Sequence, residues 1–184
     1  MEYDFRIAQN AFSGIDIKLK ANPYFMDIIS QLEKIDLEQT DRPVVDNILY
    51  VSSPIREHAQ SEYGDENYWG FTEESAFRYF MENIAVLNHP TRRVILRPHP
   101  SEAKDKYDWA VEEFSPNVSI GGKTILLNEV AQSDIIVGYN SMAMVIGLIA
   151  GKRVINALPA GKMENSLPMV EIESMADLLQ KWPV

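Results

Sequence analysis

Short apolar runs, several rich in β-branched residues, recur along this chain and alternate with helical segments, and that alternation constrains the fold more than any other feature. The clearest are Ile48-Leu49-Tyr50-Val51, Val94-Ile95-Leu96 and Ile135-Ile136-Val137, with shorter ones at Val118-Ser119-Ile120 and Val154-Ile155. Runs of this kind suit strands covered on both faces. Between them lie helix signals. Thr72 is placed as an N-cap, and Phe77, Phe80, Met81, Ile84 and Leu87 give the following helix an apolar face that ends at His89-Pro90. Further helices are expected over 107–114, 124–132 and 141–150, the last closed by Gly151, and a terminal one capped by Ser174 and reaching Lys181. Strands joined through helices by short links must run parallel, with helices on both faces. The expected fold is therefore a three-layer, doubly wound, Rossmann-like α/β domain with five or six mainly parallel strands, the last of them at Met169-Val170-Glu171-Ile172. Residues 54–70 read as a long polar loop.

Residues 1–43 do not share this pattern. Phe12-Ser13-Gly14 and Asn22-Pro23 break them into short pieces, and Tyr24, Ile28, Leu32 and Ile35 mark a helix packing onto the domain from Pro23 onward. Thr40-Asp41-Arg42-Pro43 reads as the linker, and the nucleotide-binding-type domain is expected over 44–184. A chain of 184 residues suffices for one such domain with a real core. Its net charge of −10 opposes binding to nucleic acid or to an anionic membrane surface. It contains no cysteine, which removes thiolate chemistry and disulfides and fits a reducing cytoplasm. No signal peptide is visible at Met1-Glu2-Tyr3-Asp4-Phe5-Arg6. The uncharged run from Ile135 to Gly151 is too short, and too often interrupted, for a membrane span.

The chemistry-bearing residues fall at expected strand ends. Arg97-Pro98-His99-Pro100 follows the second strand, and its two prolines fix φ and hold His99 in an extended turn. The carboxyl rim of an open α/β sheet is where ligands bind. An imidazole such as that of His99 can hydrogen-bond a phosphate or give a proton to one that leaves. Tyr139-Asn140-Ser141-Met142 follows another strand and opens a helix, whose N-terminus favours an anion. Glu129, in the short helix before that strand, has the chemistry to accept both hydroxyls of a ribose, and Arg97, Lys104 and Lys123 supply positive charge. Gly122-Lys123-Thr124 imitates the end of a phosphate loop but lacks the earlier glycine, because Asn117 occupies that place; it reads as a turn before a helix. No second histidine or carboxylate stands at ligand spacing from His99, so no metal is expected. Trp69 and its neighbouring tyrosines either line a pocket or pin the 54–70 segment to the sheet, while His58 and His89 read as loop and helix-end residues.

Arg97-Pro98-His99-Pro100, Asn128-Glu129-Val130, Asn140-Ser141-Met142-Ala143 and Gly151-Lys152-Arg153-Val154-Ile155 together resemble the C-terminal, donor-binding half of GT-B glycosyltransferases. The likeness is to bacterial enzymes that use CMP-activated sugars: sialyltransferases and the polysialic acid and Kdo transferases. It covers about residues 45–182. It implies an inverting transfer in which His99 contacts the phosphate and assists CMP departure, Ser141 binds the phosphate, and Glu129 holds the ribose. Arg97, Pro100, Asn140 and Met142 would complete the donor site. Asn140 departs from the paired serines of some sialyltransferases. The resemblance further implies no metal and no cofactor beyond a CMP-linked donor. An acceptor-binding N-terminal half would carry the general base, and membrane contact would come only through a full-length enzyme. With some forty residues before the first strand, this chain is expected to bind a donor and to be inactive alone.

Two other functions share these residues. One is a polyol-phosphate transferase domain using CDP-glycerol, which also carries a His-Pro motif. The other is a non-catalytic interaction domain on the same fold, favoured if the sheet's rim is blocked by Trp69 and the 54–70 segment. A flavodoxin-like receiver fits poorly, because the strand tips carry Ser52-Ser53, His99 and Asn140 in place of an acidic cluster.

Overall fold

Strand β1 (Ile48–Val51) is buried at all four positions, as a strand in the middle of a doubly covered sheet must be. The computed structural model describes residues 2–38, 47–90 and 93–182. The expected linker Thr40-Asp41-Arg42-Pro43, the domain boundary after 43, and Arg92 lie outside the described residues. On one side of β1 lies β2 (Val94–Arg97), followed by β3 (Val118–Ile120). On the other lie β4 (Ile135–Gly138), β5 (Arg153–Asn156) and β6 (Glu173–Ser174). Every pairing is parallel. The spatial order β3-β2-β1-β4-β5-β6 is that of the Rossmann doubly wound sheet, an α/β architecture with six strands. The chain leaves the central strand in one direction for β2 and β3, then returns to build β4 to β6 on the opposite flank. Its topological switch therefore lies between β1 and β4.

Alternate residues of each strand feed two separate cores. Ile48 and Tyr50, Val94 and Leu96, and Ile135 and Val137 point to one face. There they meet α4 (Glu73–Asn83), α5 (Asp108–Glu113) and α8 (Met175–Lys181) through Phe77, Phe80, Ala110 and Met175. Leu49, Val51, Ile136 and Val154 point to the other. They meet α2 (Pro23–Glu38), α6 (Leu126–Ala131) and α7 (Met142–Ile149) through Ile28, Leu32, Val130, Met144 and Ile146. The period-two alternation thus produces three layers. Tyr50 is the centre of the first core, its ring edge-on to Phe77 at 4.9 Å and tilted against Phe80 at 5.1 Å.

Local signals explain most element ends. Thr72 caps α4 in a reciprocal capping box with Ser75. Ser141 and Ser174 cap α7 and α8 through their hydroxyls. Gly151 takes φ +69° after α7, a conformation open to glycine at little cost. Three expectations need correction. Residues 54–70 are not one polar loop: α3 (Ile55–Tyr63) occupies half of it, burying only Ile55 and Ala59 and ending at Gly64 with φ +69°. Two apolar residues one turn apart leave a helical face too narrow to stand out in the sequence. The early residues break at Phe12-Ser13-Gly14 and before Pro23 as expected, but the piece ahead of Phe12 is a regular helix, α1 (Glu2–Ala11). The last strand is Glu173–Ser174 and not Met169–Ile172: the chain joins the sheet only after Ile172, pairing Glu173 with Ile155 and Ser174 with Asn156. No helix among the described residues is long and apolar enough to cross a membrane.

Candidate functional site

The carboxyl ends of β1, β2 and β4 meet at one rim. Register pairs Val51 with Arg97 and Tyr50 with Val137, so Ser52, Pro98 and Tyr139 leave the sheet at nearly the same level. Gly138 permits β4 to approach β1 closely there, since a Cβ at that position would lie 2.6 Å from Val51 Cγ2. A cleft of about 260 Å³ opens beside the switch point, lined by Ser52, Arg97, Pro98, His99, Pro100, Ser141 and Met142. Five of the seven residues expected at the site therefore share one cleft: Arg97, His99, Pro100, Ser141 and Met142.

Within this cleft the geometry of His99 selects its protonation pattern. The Ser101 backbone N–H donates to His99 Nδ1 at 3.3 Å, and the Ser101 hydroxyl lies 2.7 Å from the same nitrogen. An accepting Nδ1 puts the ring hydrogen of neutral His99 on Nε2. That leaves Nε2–H as the donor for an incoming oxyanion. Ser141 stands opposite as N-cap of α7, accepting from the Ala143 N–H at 3.3 Å, at the positive end of the helix dipole.

The remaining two residues sit elsewhere. Glu129 is buried behind the cleft wall, where one carboxylate oxygen accepts from Arg97 Nη1 at 2.6 Å and the other from the Gly122 N–H at 2.6 Å. Arg97 Nη1 also donates to the Thr124 carbonyl. Gly121 is needed for this arrangement, because a Cβ would come within 3.0 Å of Glu129 Oε2. The Gly121-Gly122-Lys123-Thr124 stretch is thus a turn that holds Glu129, as its missing first glycine implies. Asn140, at φ +47°, donates to the Glu164 carbonyl and accepts from the Ser166 N–H, both at 2.8 Å. It anchors the 164–166 loop over a second cavity of about 360 Å³ on the far side of the switch. Trp69, His58, Ile55 and Met163 wall this second cavity. Trp69 therefore lines a pocket, and its indole N–H is buried without a hydrogen-bond partner among the described residues. His58 is a helix residue, paired with Glu62 at 3.2 Å, and not a loop residue. The two cavities are lined by consecutive residues, Ser52 and Ser53 just after β1 and Asn140 and Ser141 between β4 and α7.

A buried ionic network behind the cleft went unanticipated. Lys106 Nζ lies 2.7 Å from Glu57, 2.6 Å from Glu73 and 2.9 Å from Glu102. Arg56 Nε donates to Glu73 at 2.7 Å. Burial alone would raise the Glu73 pKa, but the hydrogen bonds from Lys106 and Arg56 outweigh it and hold the carboxyl below its ordinary range. Burial would likewise lower Lys106, and its three carboxylate partners instead raise it. The three carboxylates are close enough together to hold a metal ion, yet the Lys106 ammonium already serves as their cation. Tyr107 donates to Glu102 at 2.9 Å and also contacts the Ser52 hydroxyl, and burial pushes its pKa up so that it stays a neutral donor. The only sequence signal was the spacing Glu102-x-x-x-Lys106 directly after the His-Pro turn.

No protein-family model matches the chain, and no curated protein matches it. Among solved structures, it is similar to KpsC of Thermosulfurimonas dismutans, described as a beta Kdo 2,4 transferase, at 18% identity and a TM-score of 0.41. The likeness covers 74% of this chain and 46% of that one, so the chain spans less than half of its length.

Proposed function

We propose that this chain is the donor-binding domain of a glycosyltransferase that uses a nucleotide-activated sugar, with a CMP-sugar as donor. The observation that carries the proposal is that His99 and Ser141, forty-two positions apart, line one cleft at the topological switch point, beside the N-terminus of α7. In this reading the phosphate sits between them. Nε2–H of His99 and the α7 dipole stabilise the negative charge that grows on the phosphate as the glycosidic bond to it breaks. Arg97 lines the cleft with its charge balanced by Glu129, so the attraction for the phosphate falls to His99 and the helix end. Glu129, already occupied by Arg97 and Gly122, would act on a ribose only through its remaining lone pairs. A general base and an acceptor would come from a second domain, so the chain assayed alone binds CMP without transferring sugar. The reaction belongs on the cytoplasmic side, with no metal taking part.

The second cavity favours a runner-up. It adjoins the phosphate position, and among its described lining residues there is no lysine or arginine, while Glu164 is acidic. A transferred group bearing a carboxylate, as sialic acid and Kdo do, would find no charge partner there. The uncharged glycerol end of CDP-glycerol needs none.

Thermal-shift titration with CMP, CDP, UDP, GDP and ADP tests the proposal. CMP should stabilise the protein by about 2.7 kcal/mol at a hundred times its dissociation constant. His99→Ala and Ser141→Ala should each remove most of that shift. No stabilisation by any of the five nucleotides would defeat the proposal, and preference for CDP-glycerol over a CMP-sugar would move it to the runner-up.

A further inference from the structure

The prolines on either side of His99 remove two backbone donors, so its own N–H is the single backbone donor in the stretch Pro98 to Pro100. That N–H is already engaged within the turn. It donates to Glu102 Oε2 at 2.7 Å, while the Glu102 N–H donates back to the His99 carbonyl at 2.9 Å. The turn is therefore closed in both directions by one residue, whose side chain is buried. The other carboxylate oxygen of Glu102 accepts from Tyr107 OH and from Lys106. Tyr107 continues to Ser52 at the tip of β1, and Lys106 continues to Glu73 and Arg56 on α4 and α3. The histidine turn on β2 and the serine tip on β1, both walls of the cleft, are thus tied to one buried carboxylate.

We propose that Glu102 is the positioning residue of the site: it sets the backbone of His99 so that Ser101 N–H meets Nδ1, fixing the tautomer and aim of the ring that faces the cleft. Three observations support this beyond a packing role. Glu102 binds the backbone of the functional residue itself, and a buried carboxylate is a costly choice where an apolar side chain would pack. Its second oxygen also links the opposite cleft wall through Tyr107. The prolines fix their own φ and keep Arg97 and His99 extended, but they leave ψ of Pro98, and with it the Pro98–His99 peptide plane that carries the His99 N–H, unset. Glu102 removes that freedom.

The proposal rests on the reading in which His99 contacts a phosphate, and two separate measurements keep the two apart. In the ligand-free protein, nitrogen-15 shifts of the His99 ring report the tautomer directly. Wild type should show an unprotonated Nδ1 and a protonated Nε2. Glu102→Ala should move these shifts toward the averaged values of a free histidine, whereas Glu102→Gln, which keeps an acceptor for the His99 N–H, should restore them. Tyr107→Phe, which loses only the hydroxyl bridging Glu102 and Ser52, should shift them in the same sense by less. Phe77→Leu, a core change of comparable stability cost, should leave them in place. CMP affinity should fall about 10- to 100-fold in Glu102→Ala, on the scale known for partners that orient metal-ligating histidines, and recover in Glu102→Gln. Unchanged ring shifts in folded Glu102→Ala would overturn the positioning role. If Glu102→Ala does not fold, unchanged shifts in Tyr107→Phe would overturn it instead. Absence of CMP binding in wild type with the ring shifts behaving as stated would overturn the function and leave the positioning role standing.

Discussion

Replacing Lys106 by methionine would remove the cation from a cluster that the fold has largely closed to water. Methionine fills similar volume, so the effect is electrostatic. The Lys106 side chain is 9% exposed, and its partners Glu73 and Glu102 are fully buried, while Glu57 is 57% exposed and free to swing into solvent. Arg56 still neutralises Glu73. The variant therefore keeps about one buried carboxylate without a counter-charge, and breaking such a pair costs about 3–5 kcal/mol. For a domain of this size that is a fall in Tm of about 6–20 °C. The pH dependence gives the sharper test. In wild type, the Glu73 pKa is lowered from 4.5, so its contribution is present above that value and is lost as pH falls through the lower, folded one. In the variant, Glu73 and Glu102 face each other without Lys106, which raises one folded pKa above its unfolded value. Protonation then relieves the strain, and the penalty relative to wild type shrinks as pH drops from about 7 to about 5. Urea titration of both proteins at the two pH values measures this. A loss below about 1 kcal/mol at pH 7, typical of an exposed pair, would refute the buried-cluster argument. So would a penalty equal at both pH values.

Two further outcomes follow from the close approaches and the second ion pair. Gly138→Ala should destabilise by about 1–3 kcal/mol, because its Cβ would meet Val51 Cγ2 at 2.6 Å and the Val51 carbonyl at 3.1 Å, and β1 would have to move away from β4; urea midpoints read it, and CMP binding should weaken as the rim widens. Arg97→Met should cost about 3 kcal/mol by leaving the Glu129 carboxylate buried with the Gly122 N–H alone. In the double variant with Glu129→Gln the two losses should not add, since the second change removes the stranded charge.

The sequence determined the layers and the rim without help. Alternating residues such as Ile48 and Tyr50 against Leu49 and Val51 can be satisfied only by a sheet covered on both faces, and helical links between strands force them parallel. Proline chemistry around His99 and the N-cap at Ser141 placed both at strand ends, because those signals are local and act through φ and through unpaired backbone groups. The order of strands decided the rest. Only the pairing of β1 with both β2 and β4 brings His99 and Ser141 to one cleft while sending Asn140 to the other, one residue away. Helix α3 escaped because two buried residues make too narrow a stripe to see. Glu73, Glu102 and Lys106 escaped for a different reason. Charged residues read as surface, and what buries these three is mutual neutralisation across separate elements, α4, the His-Pro turn and the segment leading into α5. Pairing of that kind exists only once the chain has folded, and it is what holds His99 in place.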